Sequence, residues 1–254
     1  MTEKRPARQE MILDLLREQA HVSVAQLVDR FGVSSYRVRR DLDDLEERGE
    51  LQRIRGGAVA VGDGVDLPLR IRQTRFSQEK QRIGAAAAQL IRHDDSLILD
   101  AGTTVFEIVP HLRRYQGLTV VTNSLLVAHE LGSNCQLSTI VTGGNIGLMN
   151  YALVGCLAEE RIRMMSVRNA FIAIGGLTMA RGLTNPNLYE VRVKQAMMDA
   201  AEKVIVVADH SKLGRDSLAE FAPLSRVDCL ITDSEADPEL IDQIRDLGVS
   251  VELA

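Results

Sequence analysis

"VSSYRVRRDLDDLEERGELQRIRGGAV", residues 33–59, decides how the amino-terminal part of the chain is read. Ser34 opens a segment in which Val38, Leu42 and Leu45 fall at i+4, i+8 and i+11, the spacing of one helix face, and Gly49 ends it. With that face turned inward, the first turn presents Ser35, Tyr36, Arg37, Arg39 and Arg40 outward. The acids of "DLDDLEERGE" lie in the second half of the same helix, so charge separates along its length. Such an element suits end-on entry into a duplex groove, where arginine forks take guanine O6 and N7 together or grip a phosphate.

The flanks extend this reading. Upstream, residues 7–19 place Met11, Ile12, Leu15 and Leu16 on one apolar helix face. A second, shorter helix, "VAQLVDRF", is capped by Ser23 and ended by Gly32, and buries Val24, Leu27, Val28 and Phe31. Downstream, "LQRIRGGAVAV" reads as a hairpin turning at Gly56 and Gly57 and returning through Val59 and Val61, with Arg53 and Arg55 near its tip for backbone phosphates. Helix, helix, glycine turn, arginine-led helix and basic hairpin together make a winged helix-turn-helix. Residues 1–61 carry eleven Lys and Arg against eleven Asp and Glu, so contact with DNA has to come from local placement of charge.

The chain has 254 residues, 45% of them hydrophobic and 26% charged, with a formal net charge of −5. That length and composition predict two globular modules. No run approaches the roughly 20 apolar residues of a membrane-spanning helix, and "MTEKRPARQE" lacks a secretory core, which predicts a cytoplasmic protein with no membrane partner. Cys135, Cys156 and Cys229 stand far apart and are expected to be reduced and buried. The five histidines make no sequence cluster, so neither a metal nor a cofactor is expected.

The stretch 62–75, with its glycines, a proline and no apolar period, reads as a connection, leaving 76–254 as the second module. That module begins with a helix whose Ile83, Ala87, Leu90 and Ile91 share a face. Then come "SLILD", a helix through Val105, Ile108 and Leu112, "LTVVT", a helix over 124–131, and "LSTIVTGG". "NAFIAIGG", a helix over 187–201, "KVIVVAD", "CLITD", a helix over 238–247 and "VSVEL" complete it. Strand and helix alternating at this spacing predict an α/β domain with a mostly parallel sheet, whose ligands bind beyond the carboxyl ends of its strands.

Small and polar residues gather at those strand ends. Asp100, Gly102, Thr103 and Thr104 follow the first strand and open a helix, a setting for an anion. Asn123, Gly143, Gly144, Gly175 and Asp209 end further strands, and Glu190, Lys194 and Lys212 supply charge. A plainer reading is available for each: an exposed i, i+4 ion pair for Glu190 and Lys194, simple turns for the glycines, a helix cap for Asp100. As a set they describe a pocket for a polyhydroxylated phosphate, with carboxylates on hydroxyls and the helix terminus on the phosphate.

Both halves resemble the DeoR family of bacterial sugar-responsive repressors, whose amino-terminal signature runs VSxxTIRRDLxxLExxGxLxRxHGGA. Val33, Ser34, Arg39, Arg40, Asp41, Leu42, Leu45, Glu46, Gly49, Leu51, Arg53, Gly56 and Gly57 match it, whereas Arg37 and Arg55 replace the usual threonine and histidine. In the second module Glu79-Lys80, "DAGTT", "TN", "GG", "LVG", "GLT", Glu190 with Lys194, and "DHSKLG" match the family's sensor motifs, with His210 and Leu213 in place of commoner serine and phenylalanine. The resemblance implies a sensor fold similar to ribose-phosphate isomerases and CoA transferases. It also implies operator DNA and a phosphorylated sugar as partners. Paired half-sites on DNA further predict a homo-oligomer, dimer or tetramer. The alternative is a sugar-phosphate isomerase-like enzyme with a basic appendage, in which Glu190 is the general base and Asp100, Lys194 and Asp209 surround the substrate.

Overall fold

The computed structural model describes residues 5–19, 21–47, 50–60, 69–132, 137–147 and 150–254. The helix stop at Gly49, the hairpin return through Val61, residues 62–68 of the connection and Cys135 lie outside the described residues. The chain divides into two compact units, Met1–Arg75 and Phe76–Ala254.

In the first unit, α1 (Arg5–Gln19), β1 (His21–Ser23), α2 (Val24–Phe31) and α3 (Ser35–Glu47) precede the hairpin of β2 (Leu51–Ile54) and β3 (Gly57–Ala60). Ser23 accepts from the Gln26 backbone N–H while the Gln26 side chain reaches back to the Ser23 N–H, a complete capping box, and Gly32 closes α2 in the left-handed conformation. The three helices and the hairpin bury Ile12, Leu15, Leu16, Leu27, Val38, Leu42, Leu45 and Leu51 in one core. By sequence the segment before α2 is assigned nothing beyond the Ser23 cap. Instead it forms β1, paired antiparallel with β3 from His21–Val59 to Ser23–Gly57, so the wing is three-stranded. A short helix, α4 (Leu69–Thr74), lies within the stretch read as a connection.

The second unit starts with α5 (Ser77–Gln89). It continues with β4 (Ser96–Leu99), α6 (Thr103–Phe106), β5 (Thr119–Thr122), α7 (Leu125–Gly132), β6 (Ser138–Val141), β7 (Asn145–Ile146), β8 (Leu153–Val154) and α8 (Cys156–Arg163). Then follow β9 (Val167–Ile172), β10 (Gly176–Thr178), β11 (Gly182–Asn185), α9 (Leu188–Asp199), β12 (Ala201–Val207), β13 (Ala219–Ala222), β14 (Cys229–Thr232), α10 (Pro238–Asp246) and β15 (Ser250–Leu253). Among the described residues seven strands form a wholly parallel sheet in the order β15-β14-β12-β9-β4-β5-β6. From β4 the chain builds outward through β5 and β6, then returns to the other side of β4 with β9. The order therefore reverses between β4 and β9, the position where open α/β sheets form their ligand crevice.

The sheet is covered on both faces, and the side-chain period of two sorts its residues accordingly. Ile98, Ala170, Ile172, Val204 and Val206 join Ile162, Val193, Met197 and Ile241 in one core. Leu97, Leu99, Phe171, Ile205 and Val207 join Ile83, Ala87, Val105, Leu112 and Val127 in the other. Three details depart from the sequence reading. Leu90 is exposed rather than sharing the inward face of α5, because the helix ends at Gln89. The helix expected through Leu112 is one α-turn followed by a 3-10 segment, Val109–Arg114, with Pro110 near its start. Cys156 is exposed and Cys229 partly buried; both are free thiols. No described helix is long and apolar enough to cross a membrane.

Candidate functional site

The first unit presents the arginine edge. Val38, Leu42 and Leu45 are buried along α3, while Ser34, Ser35, Tyr36, Arg37, Arg39 and Arg40 are exposed, Tyr36 at 72%. Asp41, on the inner side of the same helix, is buried and accepts from Arg8 Nε at 2.6 Å, and Gln9 donates to Asp44 at 3.1 Å. These two bonds from α1 fix the roll of α3, and with it the direction of the arginines. Arg55 is exposed in the tight turn between β2 and β3. Arg53 is not at that tip. It is half-buried, with Nε 3.0 Å from Asp43 and its backbone N–H donating to Glu46, so it ties the wing to α3.

In the second unit the strand-end residues gather on the carboxyl side of the sheet. Asp100, which follows β4, is buried; its Oδ1 accepts from Ala101 N–H at 2.7 Å and its Oδ2 from Ala173 N–H at 3.0 Å. Lys194, on α9, donates to Asp100 Oδ2 and to the Ala173 carbonyl at 2.8 Å. One carboxylate and one ammonium thus staple the ends of β4 and β9 where the sheet order reverses. Gly102 packs so close to Ala173 that a Cβ there would meet the Ala173 methyl. Thr103 and Thr104 start α6, which is one turn long, so its dipole adds less to an anion site than the longer expected helix would.

Glu190 and Lys194 are not an exposed ion pair: both are buried. Three asparagine amides converge on the Glu190 carboxylate, Asn150 at 2.8 Å, Asn187 at 3.0 Å and Asn185 at 3.3 Å. Gly175 is no simple turn either; a Cβ would come within 2.5 Å of Pro186 and 2.7 Å of Ser217. Among the described residues nothing lies within 4 Å of a Cβ at Gly143, whereas Gly144 is pressed against the Val154 carbonyl. Asn123 donates to the Leu153 carbonyl at 3.4 Å, and its buried Oδ1 has no hydrogen-bond partner among the described residues. Asp209 accepts from Ser211 and lies 3.9 Å from the buried Lys80 ammonium, and Lys212 follows in a 3-10 turn.

Several contributors were not singled out in the sequence. Ala173 acts through its backbone, and Asn150 comes from a distant loop. Asn185 and Asn187 stood in "TNPNLYE" beside Glu190, where paired amides near an acid were the available signal. One histidine also joins a cluster in space that spacing did not show: His210, Asp233 and Glu235 lie together.

Residues 8–63 match the model of the DeoR-like helix-turn-helix domain, and residues 75–234 match that of the DeoR C terminal sensor domain. The chain belongs to the DeoR family. As a DeoR-family protein it is a DNA-binding transcriptional regulator, and the isomerase alternative falls away. Glu190, tied on both oxygens by amide donors, is also held unlike a free general base.

The chain is similar along its length to other regulators. It is 32% identical to the HTH-type transcriptional regulator GolR of Listeria innocua, over 97% of this chain and 98% of the relative. To the glycerol-3-phosphate regulon repressor of Escherichia coli it is 30% identical, over 98% and 99%. Among solved structures, ribose 5-phosphate isomerase from Plasmodium falciparum aligns with a TM-score of 0.40 at 12% identity, covering 55% of this chain and 53% of the other.

Proposed function

We propose that this regulator is a repressor of a carbohydrate-metabolism operon, released from its operator when a phosphorylated sugar or related metabolite binds at the strand ends of the second unit. Asn123 carries the reading. A buried acceptor without a partner is uncommon and costs about 1–3 kcal/mol when left so, and it marks where a ligand hydroxyl would be taken. Asp100, Gly102, Thr103, Thr104, Gly143, Gly144, Gly175, Glu190, Lys194, Asp209 and Lys212 form the proposed effector site around it. In this reading Asp100, Lys194 and Glu190 chiefly hold the walls, because their charges are already engaged. Relatives of near-equal length named for glycerol 3-phosphate regulation support a small phosphorylated ligand.

Ser34, Ser35, Tyr36, Arg37, Arg39, Arg40 and Arg55 are the proposed DNA face, with Arg53 bracing the wing. Residues 1–61 act as the DNA-binding domain, 62–75 as the connection and 76–254 as the sensor, in the cytoplasm. A homo-oligomer, dimer or tetramer, places two such faces on paired half-sites. The effector works only by binding the DNA-competent and released arrangements with different affinity.

The test is a thermal-shift screen of the full chain against sugar phosphates, followed by operator binding with and without each hit. A selective stabiliser that lowers operator affinity, and whose effect is lost in Asn123→Leu, is expected. A panel with no stabiliser, or hits that leave operator affinity unchanged, overturns the effector assignment.

A further inference from the structure

His210, Asp233 and Glu235 form a side-chain cluster on the carboxyl side of the sheet, just beyond β12 and β14. Asp233 is fully buried; its Oδ2 accepts the His210 backbone N–H at 2.8 Å and its Oδ1 lies 2.9 Å from His210 Nδ1. Oδ1 also accepts the Glu235 backbone N–H at 3.0 Å. The carboxylate therefore fixes both the position of the imidazole and, in its neutral form, the tautomer with hydrogen on Nδ1. That leaves the Nε2 lone pair outward, 3.7 Å from Glu235 Oε2. The Phe76 ring stands edge-on to the imidazole at 4.6 Å, an apolar wall on one side.

Two acceptor atoms facing each other at this distance repel unless a positive centre lies between them. With the imidazole neutral, the three side chains together carry two negative charges, which one divalent cation balances. The carboxylate-histidine-metal relay has this form: a ligating imidazole donates its second N–H to a buried carboxylate, which orients the ring and raises its basicity. Ligand distances of about 2.0–2.2 Å to nitrogen and oxygen bridge the observed gap with an angle near 125° at the ion, open enough for a four-coordinate site.

We propose that His210 Nε2 and Glu235 ligate a divalent transition-metal ion, zinc or a zinc-like ion. Asp233 orients the histidine, and water or an exogenous oxygen ligand completes the coordination. Mixed imidazole and carboxylate donors select such an ion over magnesium or calcium, which favour all-oxygen sites. Each side chain has a distinct part. Removing His210 or Glu235 deletes a ligand, whereas altering Asp233 loosens the orientation of one.

The experiment titrates the metal-free full chain, without DNA or sugar, with zinc against a chromogenic chelator, and repeats the titration with cobalt to read the coordination spectrum. One ion per chain is expected, with a cobalt spectrum lacking thiolate charge transfer, which separates this site from binding at the exposed Cys156. Glu235→Gln changes an exposed side chain and leaves the fold intact, and it is expected to weaken zinc at least tenfold. His210→Ala is expected to abolish the site, and Asp233→Asn to weaken it by about 10–100-fold. Zinc affinity unchanged by Glu235→Gln or by His210→Ala overturns the proposal, as does a thiolate spectrum or the absence of stoichiometric binding.

Discussion

Arg8 donates to Asp41 across 2.6 Å, and both side chains are buried where α1 crosses α3. The acid at the centre of the arginine-led helix is thus an internal anchor. The bond couples the stability of the first unit to the aim of its cationic edge. Replacing Arg8 with Met keeps much of the apolar stem but removes a charged hydrogen bond, at an expected cost of about 1.5–3 kcal/mol. Denaturant unfolding checks this. An unchanged unfolding midpoint would show that the anchor contributes nothing.

Arg40 is exposed on α3, so its removal changes the surface and not the core. Arg40→Ala is expected to weaken operator binding by about 1–3 kcal/mol while leaving the melting temperature in place. Fluorescence anisotropy with labelled operator, at several salt concentrations, provides the measurement; equal affinity for both proteins would remove α3 as the reading element.

Asp100 and Lys194 are each within about 1% of complete burial, so neither tolerates loss of its partner. Asp100→Asn or Lys194→Met alone is expected to destabilise by about 3–5 kcal/mol, because a buried charge stays behind uncompensated. The double variant is expected to be more stable than the sum of the two losses implies. Thermal melts of the four proteins give the coupling, and strict additivity would dissolve the staple between β4 and β9.

Glu107 carries a carboxyl whose pKa is raised above its ordinary value, mainly by burial and only partly offset by the positive charge of Lys80. A raised folded-state value means that this group's stabilising contribution is full below the ordinary carboxylate range and is lost as pH rises through the shifted value. Glu107→Gln is therefore expected to gain stability relative to the parent at neutral pH, with the gain shrinking in acid. Unfolding curves on both sides of the carboxylate range decide it; a gain that grows toward low pH would reverse the sign.

Much of the architecture was legible because it is locally encoded. Val38, Leu42 and Leu45 declare the inner face of α3 by spacing alone, and the apolar run Val204–Val207 declares a doubly buried strand segment. The sequence was silent where partners are remote. His21–Ser23 becomes a strand only because β3 arrives beside it, and the short β10, β11 and β13 exist through mutual pairing. For the candidate site, the residue types at the strand ends could be read but not their state. Four-residue spacing between Glu190 and Lys194 is the same whether the face is wet or dry, and nothing local announces that Asn150 reaches one and Asp100 the other.

The central position of β4 has a consequence for how the polypeptide is made. One flank of this strand is completed by β5 soon after synthesis, but the other waits for β9, after β6, β7, β8 and α8 have emerged. Until then the nascent sensor exposes an open backbone edge and an uncovered greasy surface, a window in which chaperone capture or misassociation competes with completion. The first unit, built from neighbouring segments, faces no such delay, so a ribosome-bound intermediate acquires its grip for nucleic acid before it acquires the means of letting go.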